Sequence, residues 1–175
     1  MLLTRTALTI LVSATLVQGA AGQQMPPGMT HEQHVEQMQK DQALQQRGAE
    51  AMGFDQAKTT HHFRLSSTGG TIEVIIRDRA DEANRAAIRE HLKGIAVQFA
   101  AGDFERPLMT HGEIPDGTAE MVKRRQDISY TFELLPDGGR VRIETAAPKA
   151  LDAVHRFLRY QIREHRTGDS VKAPK

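Results

Sequence analysis

The chain has no cysteine and no tryptophan, and aromatic residues make up only 5% of it. Without cysteine there are no disulfides, no thiolate metal centres, no cysteine nucleophile and no cysteine at which a lipid anchor could be attached. Scarce aromatics remove the stacking platform on which single-stranded nucleic acids are held. An excess of one charge is missing as well. Residues 1–22 carry a single charged side chain, Arg5, so the remainder holds 22 basic and 22 acidic residues and a formal net charge of zero. That balance lacks the electrostatic footprint of a nucleic-acid binder, and this class is set aside. The longest apolar run, residues 7–17, is too short for a comfortable membrane span, and no second run follows.

What is present begins with the layout of a secretory signal over residues 1–22: a short start with Arg5, the apolar run, then small residues at 19–22. Cleavage near Ala21 or Gly22 is expected to release an exported protein, periplasmic or secreted, with no transmembrane segment. About 150 remaining residues suit one domain with a single core. Residues 23–58 are expected to form a linker and a peripheral helix, 59–170 the globular domain, and 171–175 a disordered tail. Thr30 offers an N-cap and Gln33 completes a capping box. The helix this starts, to about residue 51, is glutamine-rich with a thin apolar set of Val35, Met38, Leu44 and Met52, which predicts loose packing.

The globular part reads as one pattern printed twice. Phe63-x-Leu65, Gly69-Gly70 and Ile72-x-Val74 recur 69 positions later as Phe132-x-Leu134, Gly138-Gly139 and Val141-x-Ile143. Each copy has period-two alternation, then turn residues, then a second alternating run, which is the signature of a hairpin. The glycine pairs are assigned to the turns. A helix with the stripe Ile88, Leu92, Ile95, Ala96 and Phe99 follows the first hairpin, capped by Asp78 or Asp81 and stopped at Gly102; His91 flanks the stripe. Pro148 opens the second helix, with the stripe Leu151, Val154, Leu158 and Ile162, and Gly168 is expected to end it. The fold expected is α+β: two ββα repeats forming a four-stranded antiparallel sheet with both helices on one face, plus the peripheral N-terminal helix. A long connection over 103–127 is expected to carry a function or a short helix around residues 120–125.

Histidine does not follow the duplication. His61 and His62 fall opposite Tyr130 and Thr131. Eight histidines without cysteine suggest imidazole ligation of a transition metal, copper or zinc. By strand parity His61 shares the core face and His62 points away. His155 and His165 are about 15 Å apart along the last helix and cannot share an ion. The candidate cluster is therefore His61 or His62 with His155 and, from the long connection, His111. No HExxH or His-x-His spacing fixes such a site, and a hydrogen-bonded, half-buried role is the plain alternative for each. Met29, His31, His34 and Met38 form a second candidate, a thioether and imidazole patch suited to copper. Arg156, Arg159, Arg163 and Arg166 make a guanidinium stripe that fits either an anion or a solvated face.

The strings Met52-Gly53-Phe54-Asp55-Gln56, Thr59-Thr60-His61-His62-Phe63, His155-Arg156-Phe157-Leu158-Arg159-Tyr160-Gln161-Ile162 and His165-Arg166-Thr167-Gly168-Asp169 are similar to those of a group of small exported bacterial proteins of unassigned function. Some members of that group carry the label aspartate carbamoyltransferase. Such a transferase is a larger, two-domain enzyme with a Ser-Thr-Arg-Thr-Arg phosphate-binding motif, and neither the size nor the motif is present. The resemblance implies export and a shared site around His61, His62, His155 and His165, but no reaction. Three functions are thus expected in order: a binding protein for a metal ion or small ligand; a non-catalytic module meeting a protein partner through the sheet face bearing His62, Arg64, Glu73, Arg140, Arg142 and Glu144; and, last, an enzyme with a histidine acid/base.

Overall fold

The computed structural model describes residues 28–174, so the expected signal segment lies outside the described residues. Four strands, β1 (Thr59–Ser66), β2 (Gly69–Ile76), β3 (Ser129–Leu135) and β4 (Gly138–Glu144), form one antiparallel sheet in the order β1-β2-β4-β3. The helices α2 (Glu82–Ala101) and α5 (Pro148–His165) cover one face, and α1 (His31–Met52), α3 (Glu105–His111) and α4 (Thr118–Lys123) complete the chain. The fold is the expected α+β duplication.

Ile72 pairs with Val141, its own counterpart in the repeat, and Gly70↔Ile143 and Val74↔Gly139 flank that pair symmetrically. The sheet thus has a pseudo-twofold axis between β2 and β4. The helices cross it: α2 packs on β4 and β3, whereas α5 packs on β1 and β2. Each hairpin is covered by the helix of the other half. Phe99, Phe157, Ile88, Leu92 and Leu158 meet under the sheet in the core.

The turns hold Ser67-Thr68 and Pro136-Asp137, so both glycine pairs lie within strands rather than in the turns as expected. Close approach is the reason. A Cβ on Gly70 would run into the Arg64 carbonyl and Leu158, and one on Gly139 would come within 2.8 Å of Phe132 and 3.1 Å of Leu92. Each leucine belongs to the helix covering that strand.

Local signals place most helix ends where the sequence suggests. Thr30 and Gln33 exchange backbone and side-chain hydrogen bonds of 2.9 and 3.2 Å. Asp81 caps α2 through Asn84 N, and Gly102 closes it in the left-handed region at φ 83°. The last helix departs from expectation. It ends at His165, and Arg166 takes the left-handed turn at φ 48°, held by Asp41 of α1 at 2.7 and 2.9 Å. Leu134, assigned to the core by alternation, is 66% exposed because β3 is an edge strand that α2 does not fully cover. The connection over 103–127 contains α4 near the expected place and also α3, whose third residue, Pro107, is tolerated in the first turn.

On the face away from the helices, Glu73 is buried and accepts from Arg64 at 3.1 Å and from Arg140 at 2.6 and 2.9 Å. Glu133 accepts from Arg142 at 2.7 Å. Burial pulls Glu73 upward, and Arg140 and Arg64 hold its carboxyl below the ordinary carboxylate range. The face proposed for a protein partner is thus a ladder of charges already paired with one another.

Candidate functional site

Three of the histidines singled out from the sequence meet at one end of the sheet. His61 comes from β1, His111 from the last turn of α3 and His165 from the last turn of α5. The His61 and His165 rings lie 5.6 Å apart with planes 10° from parallel, and His111 stands edge-on to His165 at 5.1 Å. His91 of α2 joins them, packing edge-on to Phe54 at 5.4 Å as His61 stacks on the same ring at 5.8 Å. The four line a cavity of about 60 Å³ together with Met52, Phe63, Arg106, Thr110 and Gln161.

Hydrogen bonds set which ring nitrogens carry protons. Arg106 can only donate, so His91 Nδ1, 2.9 Å from its NH1, accepts and leaves the proton on Nε2. His111 Nε2 donates to Gln161 Oε1 at 3.0 Å, which leaves Nδ1 as a bare lone pair. That Nδ1 is buried without a hydrogen-bond partner, and so is His61 Nε2. Tyr160 steadies His111 from the side, its ring edge-on at 5.1 Å and its hydroxyl donating to Glu113 at 2.7 Å.

Burial keeps these imidazoles neutral. It lowers His61 to about 4, with the His62 charge adding to the effect. It lowers His165 to about 3, helped by repulsion from His61 and His111, and His91 to about 3, helped by Arg106 and His61. His111 is also lowered, burial outweighing the bond to Gln161. At neutral pH the cluster therefore presents lone pairs rather than charges.

His61 and His165 also line a second concavity, an open groove whose far wall is Asp41, Gln42 and Gln46 of α1 and whose floor includes Thr59 and Thr60. The two rings form the partition between groove and inner cavity. The α1 wall is pinned by polar contacts: Arg47 donates to the carbonyls of Thr110 and His111 at 3.1 and 3.2 Å, and Asp41 pairs with Arg166.

The other candidates lie elsewhere. His62 is on the opposite face, its Nδ1 3.0 Å from Asp169 Oδ1, while Asp169 Oδ2 accepts from Phe63 N at 3.0 Å. His155 sits three turns before the end of α5 and donates from Nε2 to the carbonyls of Ser66 and Gly69 at 2.9 and 3.1 Å, clamping the first hairpin to the helix. Met29, His31, His34 and Met38 surround the start of α1, where Met38 is 39% exposed. Among the described residues no hydrogen bond or ring contact joins them. The arginine stripe is engaged in part, Arg156 with Asp116 and Asp152, Arg159 with the Val171 carbonyl and Arg166 with Asp41.

Sequence reasoning missed His91, Arg106 and Met52 as members of the site. His91 had one signal, its place beside the stripe of α2; Arg106 had none, because α3 is too short to show a period. Among the described residues no three His, Asp or Glu groups are already set around a common point suited to an ion. Compared with known proteins, the chain matches no family model, no curated protein and no solved structure.

Proposed function

We propose that this is an exported binding protein that takes a transition metal, copper or zinc, in the cavity through His61, His111 and His165, with the Met52 thioether as a further donor. The observation that carries this reading is the pair of buried imidazole nitrogens without partners, His61 Nε2 and His111 Nδ1, on rings lining one cavity. A buried polar atom left unpaired is costly unless something fills the gap. His111 has the outer hydrogen bond to a carbonyl oxygen that commonly orients a metal-ligating imidazole. With metal-nitrogen bonds of about 2.0 Å, two imidazoles on one ion have ring centres roughly 5–6 Å apart. The observed 5.1 Å for His111–His165 and 5.6 Å for His61–His165 fall in that interval. A thioether beside imidazoles favours copper over zinc.

Competitive titration of the chain lacking residues 1–22 with Cu(I), Cu(II) and Zn(II), together with metal analysis, tests the reading. One saturable equivalent is expected, lost in His61→Ala with His165→Ala and kept in His62→Ala, with circular dichroism checking that each variant folds. Because the imidazoles are already neutral, loading at pH 7 is expected to release almost no protons. Saturable binding that survives the double variant but disappears when residues 28–40 are removed would transfer the site to Met29, His31, His34 and Met38. Binding that is unsaturable, or unchanged by both alterations, ends the proposal.

A further inference from the structure

The residues lining the cavity include one guanidinium and no carboxylate. Arg106 spends NH1 on His91 Nδ1 at 2.9 Å, and its NH2 lies 3.6 Å from where a Cβ on Gly94 would stand, so the bare helix backbone there leaves room for it. Among the described residues no aspartate or glutamate pairs with Arg106.

A divalent ion held there by imidazoles would add two positive charges beside a third, in a cavity whose lining holds no carboxylate; the nearest acids, Glu113 and Glu164, act on His111 and neither pairs with Arg106. Buried charges persist where they are paired. An anion from solution would supply the partner that Arg106 lacks.

We propose that the cavity binds its metal together with a small monoanion, which occupies an open coordination position on the metal and is clamped on its other side by the Arg106 guanidinium. This rests on the metal reading above and adds the chemical class of a second ligand. A guanidinium fork presents parallel N–H donors to an oxyanion and cannot lose its proton, which suits it to this role better than a lysine. The volume of about 60 Å³ has room for an ion and a few water-sized groups, which suits an anion of the size of formate, nitrite or azide. His91 is the positioning residue: by accepting from NH1 it fixes the guanidinium plane.

The test measures Cu(II) and Zn(II) affinity in chloride-free buffer with and without azide or formate, in the original chain and in Arg106→Gln. The expected result is at least a tenfold tightening of divalent metal binding by either anion, together with an azide-to-Cu(II) charge-transfer absorption. In Arg106→Gln the tightening should vanish. Arg106→Lys should retain only part of the effect. Metal binding that ignores the anion overturns this inference and leaves the metal reading standing. An anion effect equal in the original chain and in Arg106→Gln overturns the assignment to Arg106. Absence of saturable metal binding removes the metal reading and this inference with it, so the two failures are told apart in one titration.

Discussion

The two halves share one backbone plan and differ in what closes their outer strands. On β1, Phe63 and Leu65 are buried beneath α5; on β3, the matching Phe132 is half-buried under Lys93 and Leu134 is 66% exposed. His61 and its counterpart Tyr130 diverge in the same way. Tyr130 packs edge-on to Phe99 at 5.8 Å, its buried hydroxyl unpartnered, whereas His61 looks into a cavity and onto a groove. Three additions to the duplicated plan gather at the first half: α1 and α3 join through Arg47, and Asp169 follows α5 to cap the β1 edge. The second half keeps the scaffold, and the first carries the concavity made where the additions meet. A duplication holds one copy to the needs of packing and leaves the other free to acquire chemistry.

Several substitutions would break or sharpen this contrast. The largest effect is expected at the central glycines. Gly70→Ala drives a methyl into backbone and Leu158, so it should cost about 3 kcal/mol or more in urea unfolding, while Gly139→Ala meets only side chains able to shift and should cost about 1–2 kcal/mol. Equal losses would show that the halves are packed alike.

Next comes acid. Burial pushes the folded imidazoles of His61, His91 and His165 down to about 4, 3 and 3, below the ordinary value of 6.5, so the unfolded chain binds more protons and stability must fall as pH drops from about 6.5 to 4. Asp169 and Glu73, also lowered, contribute only nearer and below pH 4. His61→Phe, which gives the first half an aromatic like the second, should flatten the slope by on the order of 2–3 kcal/mol over that interval. An unchanged unfolding midpoint between pH 6.5 and 4.5 in the original chain would sink this account.

A smaller effect is expected at the strand edges. Asp169→Ala removes the acceptor for Phe63 N and the partner of His62, and should cost about 1–2 kcal/mol. Hydrogen exchange at the Phe63 amide should then rise toward that of Phe132, whose outward N–H follows from the same register on the other edge. Smallest of all, Leu134→Lys should shift stability by no more than about 0.5 kcal/mol, the mark of a position the core does not use.

Much of the fold was legible because alternation, helical stripes and caps are local. The stripe of α2 is buried as its spacing requires, and the Thr30 capping box forms as its residues imply. The glycine pairs were misplaced because glycine suits both a turn and a close strand crossing, and only the helix packed above decides between them. Parity put Leu134 inside, but an edge strand outruns the helix that covers it. The site was legible in part. His61 on the core face follows from period two, and its meeting with His165 depends on how α5 lies across β1, which residue spacing along one helix does not contain. His155 was grouped with the site through its position on α5, and its ring instead serves the turn carbonyls of the first hairpin.

The crossing of the helices has a consequence for the order in which the molecule can assemble. When α2 has been made, the strands it covers do not yet exist; it must wait for residues up to 144. The first hairpin, which α2 touches only along β2, waits longer for its main cover, α5, at the far end of the chain. Neither half is a unit that can close on itself, and contacts of such long sequence separation fold late and slowly. The histidine cluster, assembled from β1, α2, α3 and the last residue of α5, is completed only when the final helix docks. The cavity is therefore complete only in the finished molecule: a chain cut short before residue 165 lacks the His165 that lines it.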